Sequence, residues 1–167
     1  LLYGYHRNIP VFASLESFLQ SRLQSDCLII GIATVGGLLP ASMLEIVKQA
    51  IASNLSIVNG LHEFLSEKPE IVTLAEQHAV SLTDIRKPKH RQELHFWSGE
   101  IFKVKAPIVA VLGMDCAVGK RTTARMLKQT CLQNNIKAEM IYTGQTGWMQ
   151  GGKYGFIFDS TLNDFIS

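Results

Sequence analysis

The sequence predicts an α/β protein of two parallel-sheet domains, and three observations carry that prediction. Apolar strand-like runs alternate with helical patterns, the order that builds a parallel sheet with helices on both faces. The alternation breaks at the basic run Arg86-Lys87-Pro88-Lys89-His90-Arg91. Beyond it, the apolar run from Pro107 to Leu112 leads into Gly113-Met114-Asp115-Cys116-Ala117-Val118-Gly119-Lys120-Arg121-Thr122-Thr123 and then a helical pattern. A strand, a glycine-bounded loop ending in Gly-Lys and a helix make the layout of a phosphate-binding P-loop.

Taken in order, Ile9 to Ala13 is extended, and Ser14 caps a helix to about Leu23 with Glu16 in its first turn. Cys27 to Ala33 is a buried strand, followed by the loop Thr34-Val35-Gly36-Gly37. Pro40 opens a helix to about Ala52, with Met43, Leu44, Ile46, Val47 and Ile51 as its apolar positions. Ser56 to Asn59 is a short strand ending at Gly60, Leu61 to Leu65 a helical turn, Pro69 to about His78 a helix, and Val80 to Ile85 a strand. These predict a first domain over 1–86, a linker over 87–99 and a second domain over 100–167. The second domain has a strand at 107–112, a helix at about 120–134 and a strand from Lys137 to Tyr142. A glycine-rich loop over 143–152 follows, then an extended piece from Phe156 to Asp159.

A chain of 167 residues can bury a core in one domain or two small ones. A formal net charge of +2 gives no reason to expect nucleic-acid binding. Cys27, Cys116 and Cys131 have neither Cys-x-x-Cys nor metal-ligand spacing, and an odd count without a signal peptide predicts reduced thiols in the cytoplasm. No apolar run approaches the length of a membrane span. Both ends read as cut: the chain opens on Leu1-Leu2-Tyr3 and stops at Ser167 in what reads as the first turns of a helix. The expectation is a piece of a longer protein with sheet edges and a helix face uncovered.

The P-loop defines the expected chemistry. Glycines let consecutive backbone N–H groups turn inward, and the helix N-terminus adds partial positive charge. Lys120 then reaches the outer phosphates, and Thr122 or Thr123 holds a Mg²⁺. Five residues separate Gly113 from Gly119, one more than in the usual loop, and Arg121 stands where the metal-binding hydroxyl normally sits. The longer loop with an Asp at its third position resembles the dethiobiotin synthetase type of P-loop. Expected cofactor-binding residues are Gly113, Asp115, Cys116, Ala117, Val118, Gly119, Lys120, Arg121, Thr122 and Thr123. Thr143, Gly144, Gln145 and Thr146 join them from the next glycine-rich loop, where Trp148 either stacks on a planar base or is half-buried.

Other residues carry two readings each. Asp115 accepts a proton, orients water or helps hold a metal, or it shapes the loop as an Asx-turn. Asp159, at an apparent strand end, is a metal-site acid beside Thr122 or a helix N-cap. Cys116 is read as a small loop residue rather than a nucleophile. His62 and Glu63 do acid–base work across a cleft between the domains, or they begin an exposed helix. His78, His90 and His95 have no partners at ligand spacing. The basic run over 86–91 is a solvated linker or a clamp on an anion.

Several segments together resemble one family. They are Pro10-Val11 with Ala13-Ser14-Leu15-Glu16, Ile30-Gly31-Ile32-Ala33 with Gly36-Gly37, Gly60-Leu61-His62-Glu63-Phe64-Leu65-Ser66, and Asp84-Ile85-Arg86-Lys87-Pro88. The P-loop from Gly113 to Thr123 is the most specific match; Thr143-Gly144-Gln145-Thr146-Gly147, Asp159 and Asp164-Phe165 complete it. The chain is similar to two-domain P-loop proteins formerly known only as a domain of unknown function, one branch of which acts as D-glutamate N-acetyltransferases of the DgcN type. The resemblance implies an incomplete Rossmann-like N-terminal domain and an incomplete P-loop NTPase-like C-terminal domain. It implies an enzyme that moves acetyl from acetyl-CoA to the amino group of D-glutamate or a similar D-amino acid, with Asp115 and His62 as the best candidates for the base. The alternatives are an ATP- and Mg²⁺-dependent amine- or carboxylate-activating enzyme of dethiobiotin synthetase type, and a non-catalytic nucleotide sensor. The expected partner is a small amino-acid substrate, with no nucleic acid and no membrane, and the expected state is a homo-oligomer in the cytoplasm.

Overall fold

The structure is a computed structural model that describes residues 9–32, 34–93, 96–115 and 118–158. It divides after Asp84 into two compact units.

The first unit is a three-stranded parallel sheet in the order β1 (Cys27–Ile30), β2 (Ser56–Asn59), β3 (Leu82–Asp84). Helix α1 (Leu15–Leu19) precedes the sheet; α2 (Ala41–Ala52) and α3 (Pro69–Gln77) are the crossovers. Pro40 and Pro69 begin these two helices with a φ already suited to them. Asn54, at φ 60°, stops α2 in the left-handed region. The core gathers Val47, Ala50 and Ile51 of α2, Ile71 and Ala75 of α3, and Ile30, Leu55, Ile57, Leu61 and Leu65. Register pairs Leu28 with Ile57 and Ile57 with Leu82, so these side chains share one face with Ile30, Asn59 and Asp84 two positions on.

Three expectations are corrected here. Helices were expected on both faces. Among the described residues α2 packs against β2 and α3 packs beside α2, and Ile29, on the opposite parity of β1, is half exposed. Two right-handed crossovers run in the same direction across a 1-2-3 sheet, and that places both helices on one face. Helix α1 stops at Leu19 rather than Leu23. Ser14 and Ser17 form a reciprocal capping box, but Ser21 Oγ accepts from Leu23 N–H and turns the chain away. Strand β1 ends at Ile30 and β3 at Asp84, because β2 ends at Asn59 and offers no further partner; β3 begins only at Leu82, opposite Ile57.

The second unit is sparser. A 3₁₀ turn spans Glu100–Lys103, then come α4 (Lys120–Gln133), β4 (Ile141–Tyr142), α5 (Gln145–Met149) and β5 (Tyr154–Gly155), with β4 and β5 paired in parallel. Asn135, at φ 58°, ends α4 as Asn54 ends α2. The strand expected over 107–112 forms no ladder. Ile108, Val109 and Leu112 stand open to solvent, because no neighbour among the described residues offers them a backbone partner. The strand expected from Lys137 narrows to Ile141–Tyr142; β5 lies two residues before the extended piece expected at 156–159, whose residues 156–158 form no strand and whose Asp159 lies outside the described residues. The loop expected over 143–152 contains a helical turn. Gly147 sits in α5 because any Cβ there would collide with Cβ and Cγ of Tyr142, so the glycine marks close packing rather than looseness.

Candidate functional site

Gly119 is the N-cap of α4 with φ 92° and ψ 7°, a left-handed conformation that glycine takes without strain. The first intrahelical bond runs from Thr123 N–H to the Gly119 carbonyl at 2.9 Å. The amides of Lys120, Arg121 and Thr122 therefore precede the helical ladder, and Gly119 has no side chain with which to cap them. Lys120 folds back over the loop, and its Nζ donates to the Asp115 carbonyl at 2.5 Å. Gly113 makes room for this path. A Cβ at Gly113 would lie 2.8 Å from Val118 Cγ2 and 3.0 Å from Cγ and Cδ of Lys120. The spacing Gly113–Gly119–Lys120 thus has a physical reading: one glycine clears the lysine stem, and the other turns the chain into the helix.

Of the residues expected at this loop, Gly113, Asp115, Val118 and Lys120 meet as described. Arg121, Thr122 and Thr123 fill the first turn of α4. Cys116, Ala117 and Asp159 lie outside the described residues. In the second loop, Gly144 caps α5, Gln145 and Thr146 form its first turn, and the Thr143 carbonyl accepts from Phe158 N–H at 3.2 Å. Trp148 is 41% exposed. Arg125 of α4 donates to Gln150 Oε1 at 3.2 Å, tying the end of α5 to the P-loop helix. Lys128 of α4 pairs with Glu139 ahead of β4. That bond, with the Met140 amide, holds Glu139 below the usual carboxylate range. Among the described residues no group of three or more His, Cys, Asp or Glu is placed to hold a metal ion.

The first unit presents its own loops at the carboxyl ends of its strands, where open parallel sheets bind ligands. Gly36 and Gly37 are consecutive left-handed residues with φ 69° and 67°. The His62 ring lies against Gly37: a Cβ there would be 3.0 Å from Cβ and Cγ of His62. The amides of His62 and Glu63 both donate to the Gly37 carbonyl, at 3.1 and 3.4 Å. The helical turn expected over Leu61 to Leu65 is instead a bend fastened by side chains, with a 3₁₀ turn only at Leu65–Glu67. His62 stays exposed. Glu63 is engaged at both oxygens: Oε1 pairs with Lys68 at 2.5 Å, and Oε2 accepts from Leu39 N–H at 2.6 Å. The Lys68 bond and then the Leu39 amide hold its carboxyl below the usual value.

Asn59 and Asp84, which the sequence places only at strand ends, complete this loop. Asn59, 1% exposed, donates through Nδ2 to the Glu63 carbonyl and to Asp84 Oδ1, both at 2.7 Å, and accepts from Leu61 N–H at 3.0 Å. Asp84 accepts from Leu65 N–H at Oδ1 and Ser66 N–H at Oδ2, at 3.0 and 2.9 Å. Burial raises the Asp84 carboxyl, but hydrogen bonds from Asn59, Ser66 and Leu65 together outweigh it and leave the group below its ordinary value. A signal was present. Both are polar residues ending strands at the inward parity of Ile57 and Leu82.

Residues 1–88 match the family model described as a domain of unknown function (DUF1611_N), Rossmann-like domain, and residues 95–167 match its companion (DUF1611_C), P-loop domain. The chain belongs to the DUF1611 family. A D-glutamate N-acetyltransferase from Pseudoalteromonas sp. is 34% identical over 147 residues, covering 88% of this chain and 43% of that protein. Another D-glutamate N-acetyltransferase, from Tritonibacter scottomollicae, is 29% identical over 140 residues, covering 84% of this chain and 40% of its own length. A crystal structure of a DUF1611 family protein from Anabaena variabilis matches with a TM-score of 0.82 and 31% identity, covering 97% of this chain and 46% of that one. The DUF1611 chain described here thus spans less than half the length of the relatives it matches.

Proposed function

We propose that the chain is part of an N-acetyltransferase that moves the acetyl group of acetyl-CoA to the amino group of D-glutamate or a similar D-amino acid. The observation that carries the proposal is 34% identity, over most of the chain, to a protein named for that activity. The P-loop supports it. Coenzyme A bears a diphosphate and a 3′-phosphate, and three amides ahead of a helical ladder with a lysine ammonium beside them suit such an anion.

In this reading acetyl-CoA supplies an acetyl thioester. Lys120 leaves the Asp115 carbonyl for phosphate, while the amides of Lys120, Arg121 and Thr122 fix the anion at the start of α4. Thr143, Gly144, Gln145 and Thr146, in the loop and first turn that lead into α5, are proposed to join the cofactor site. A base in the protein removes a proton from the substrate ammonium, the free amine forms the N–C bond, the C–S bond breaks, and the thiol leaves with a proton. His62 and Asp115 are the proposed bases. No step requires a metal ion, so the metal roles expected of Thr122 and Asp159 have no part here. The same reading assigns a cytoplasmic protein with Cys27 and Cys131 as free thiols, a homo-oligomer, and no nucleic-acid or membrane partner. No helix among the described residues is long and apolar enough to cross a membrane.

Incubation of the protein with acetyl-CoA and D-glutamate tests the proposal, with thiol release and the product mass both followed. One thiol released per N-acetyl-D-glutamate formed supports it. No acetyl transfer to any D-amino acid, with phosphate release from Mg²⁺-ATP instead, overturns it.

A further inference from the structure

We propose that Asn59 and Asp84 are positioning residues that hold the loop over 61–66 so that His62 is presented in a fixed place at the carboxyl edge of the first unit. The proposal rests on His62 being the base in the reading above, and it assigns two residues to that role's support.

Asn59 and Asp84 end neighbouring strands in register. Between them they bind Leu61 N–H, the Glu63 carbonyl, Leu65 N–H and Ser66 N–H, and the bond from Asn59 Nδ2 to Asp84 Oδ1 joins the two side chains. Residues on both sides of His62 are therefore clamped from below. Buried Leu61 and Leu65 anchor the loop in the core while His62 between them stays exposed. From the side, the Gly37 carbonyl accepts from His62 and Glu63, and Glu63 accepts from Leu39. An ordinary tight turn would connect β2 to α3 without burying the Asn59 amide and half-burying the Asp84 carboxylate, groups that are stable away from water only when their hydrogen bonds are met. Here those bonds converge on the segment that carries an exposed imidazole. Such a shell removes the freedom a catalytic group would otherwise lose on reaction, and small displacements of that group lower the rate steeply.

The test compares wild type, His62→Gln, Asp84→Asn and the double variant, each first shown to be folded by thermal denaturation. Asp84→Asn keeps the shape but places an amide NH₂ against a backbone N–H. The expected result is a kcat for acetyl transfer lowered about 10-fold or more by each single change, with the KM for acetyl-CoA within about 2-fold. The double variant is expected to be no slower than His62→Gln alone. Losses that multiply in the double variant overturn the proposal. A second readout does not depend on acetyl transfer. In the NMR spectrum the His62 ring resonance should be displaced from its random-coil position in wild type and move to it in Asp84→Asn. An unmoved resonance overturns the proposal, and this readout decides alone if the wild type transfers no acetyl group. Should Asp84→Asn not fold, Glu63→Ala frees the same loop from Leu39 and Lys68 and carries the same expectations.

Discussion

Lys120 closes the P-loop on itself: its ammonium meets the carbonyl of Asp115, five residues back, across the face of Gly113. The contact holds the cation over the loop with its stem against Gly113, which has no side chain to displace it. Gly113→Ala should therefore move Lys120 without greatly unsettling the fold. We expect anion affinity to fall about 10-fold, the range of one hydrogen bond to a charged group, with folding stability changed by about 1 kcal/mol. Calorimetry with coenzyme A and thermal melting separate the two effects.

Gly119 is constrained by its backbone rather than by space. A Cβ placed on it would meet no atom within 4 Å, yet φ is 92°. Gly119→Ala should cost about 1–2 kcal/mol through that angle alone. It should also turn the first amides of α4 away from the anion. Chemical denaturation and coenzyme A titration of the same variant measure the two losses, and an unchanged affinity would show that the turn is not the grip.

Ile71 is fully buried between α3 and the sheet of the first unit. Ile71→Ala should destabilise that unit by about 2–5 kcal/mol, the usual result of opening a cavity in a packed core. Ile29→Ala on the exposed parity of β1 should cost much less. Urea unfolding followed by circular dichroism distinguishes them.

Acid should loosen the 61–66 loop. Asp84 and Glu63 both have folded pKa values below their unfolded ones, about 3.9 and 4.3 for free Asp and Glu. Each favours the folded state in its ionised form. Their contributions are complete above those unfolded values and are lost as pH falls through the lowered folded ones. Denaturation of the wild type between pH 7 and pH 3 should show stability falling below about pH 4.5, with a smaller fall in Asp84→Asn. A profile that is flat or rises toward acid would contradict this.

What the sequence made legible follows from how local each signal is. Pro40, Pro69 and the apolar periodicity of α2 and α3 act within a few residues, so those helices and the strand Ser56–Asn59 could be read directly. The turn at Gly119 and the start of α4 were legible for the same reason. The ladder expected at 107–112 depends on neighbours that no local pattern supplies. Gly147 was read as a loop signal, but its role depends on Tyr142 across a turn. The Asn59–Asp84 bond spans 25 positions, so the pairing depends on the register of β2 and β3 rather than on any local pattern. His62 was picked out from its chemistry, whereas the shell that fixes it became visible only when β2 and β3 were set side by side.

The central claim is that the amides at the start of α4, with Lys120, grip the phosphates of coenzyme A. Calorimetric titration of coenzyme A into the protein without Mg²⁺, beside the same titration of Lys120→Ala, tests it most directly. Binding by the wild type that weakens about 10- to 100-fold in the variant is the predicted result. Equal affinity in the two proteins, or no binding by the wild type until Mg²⁺ and ATP replace coenzyme A, would contradict it.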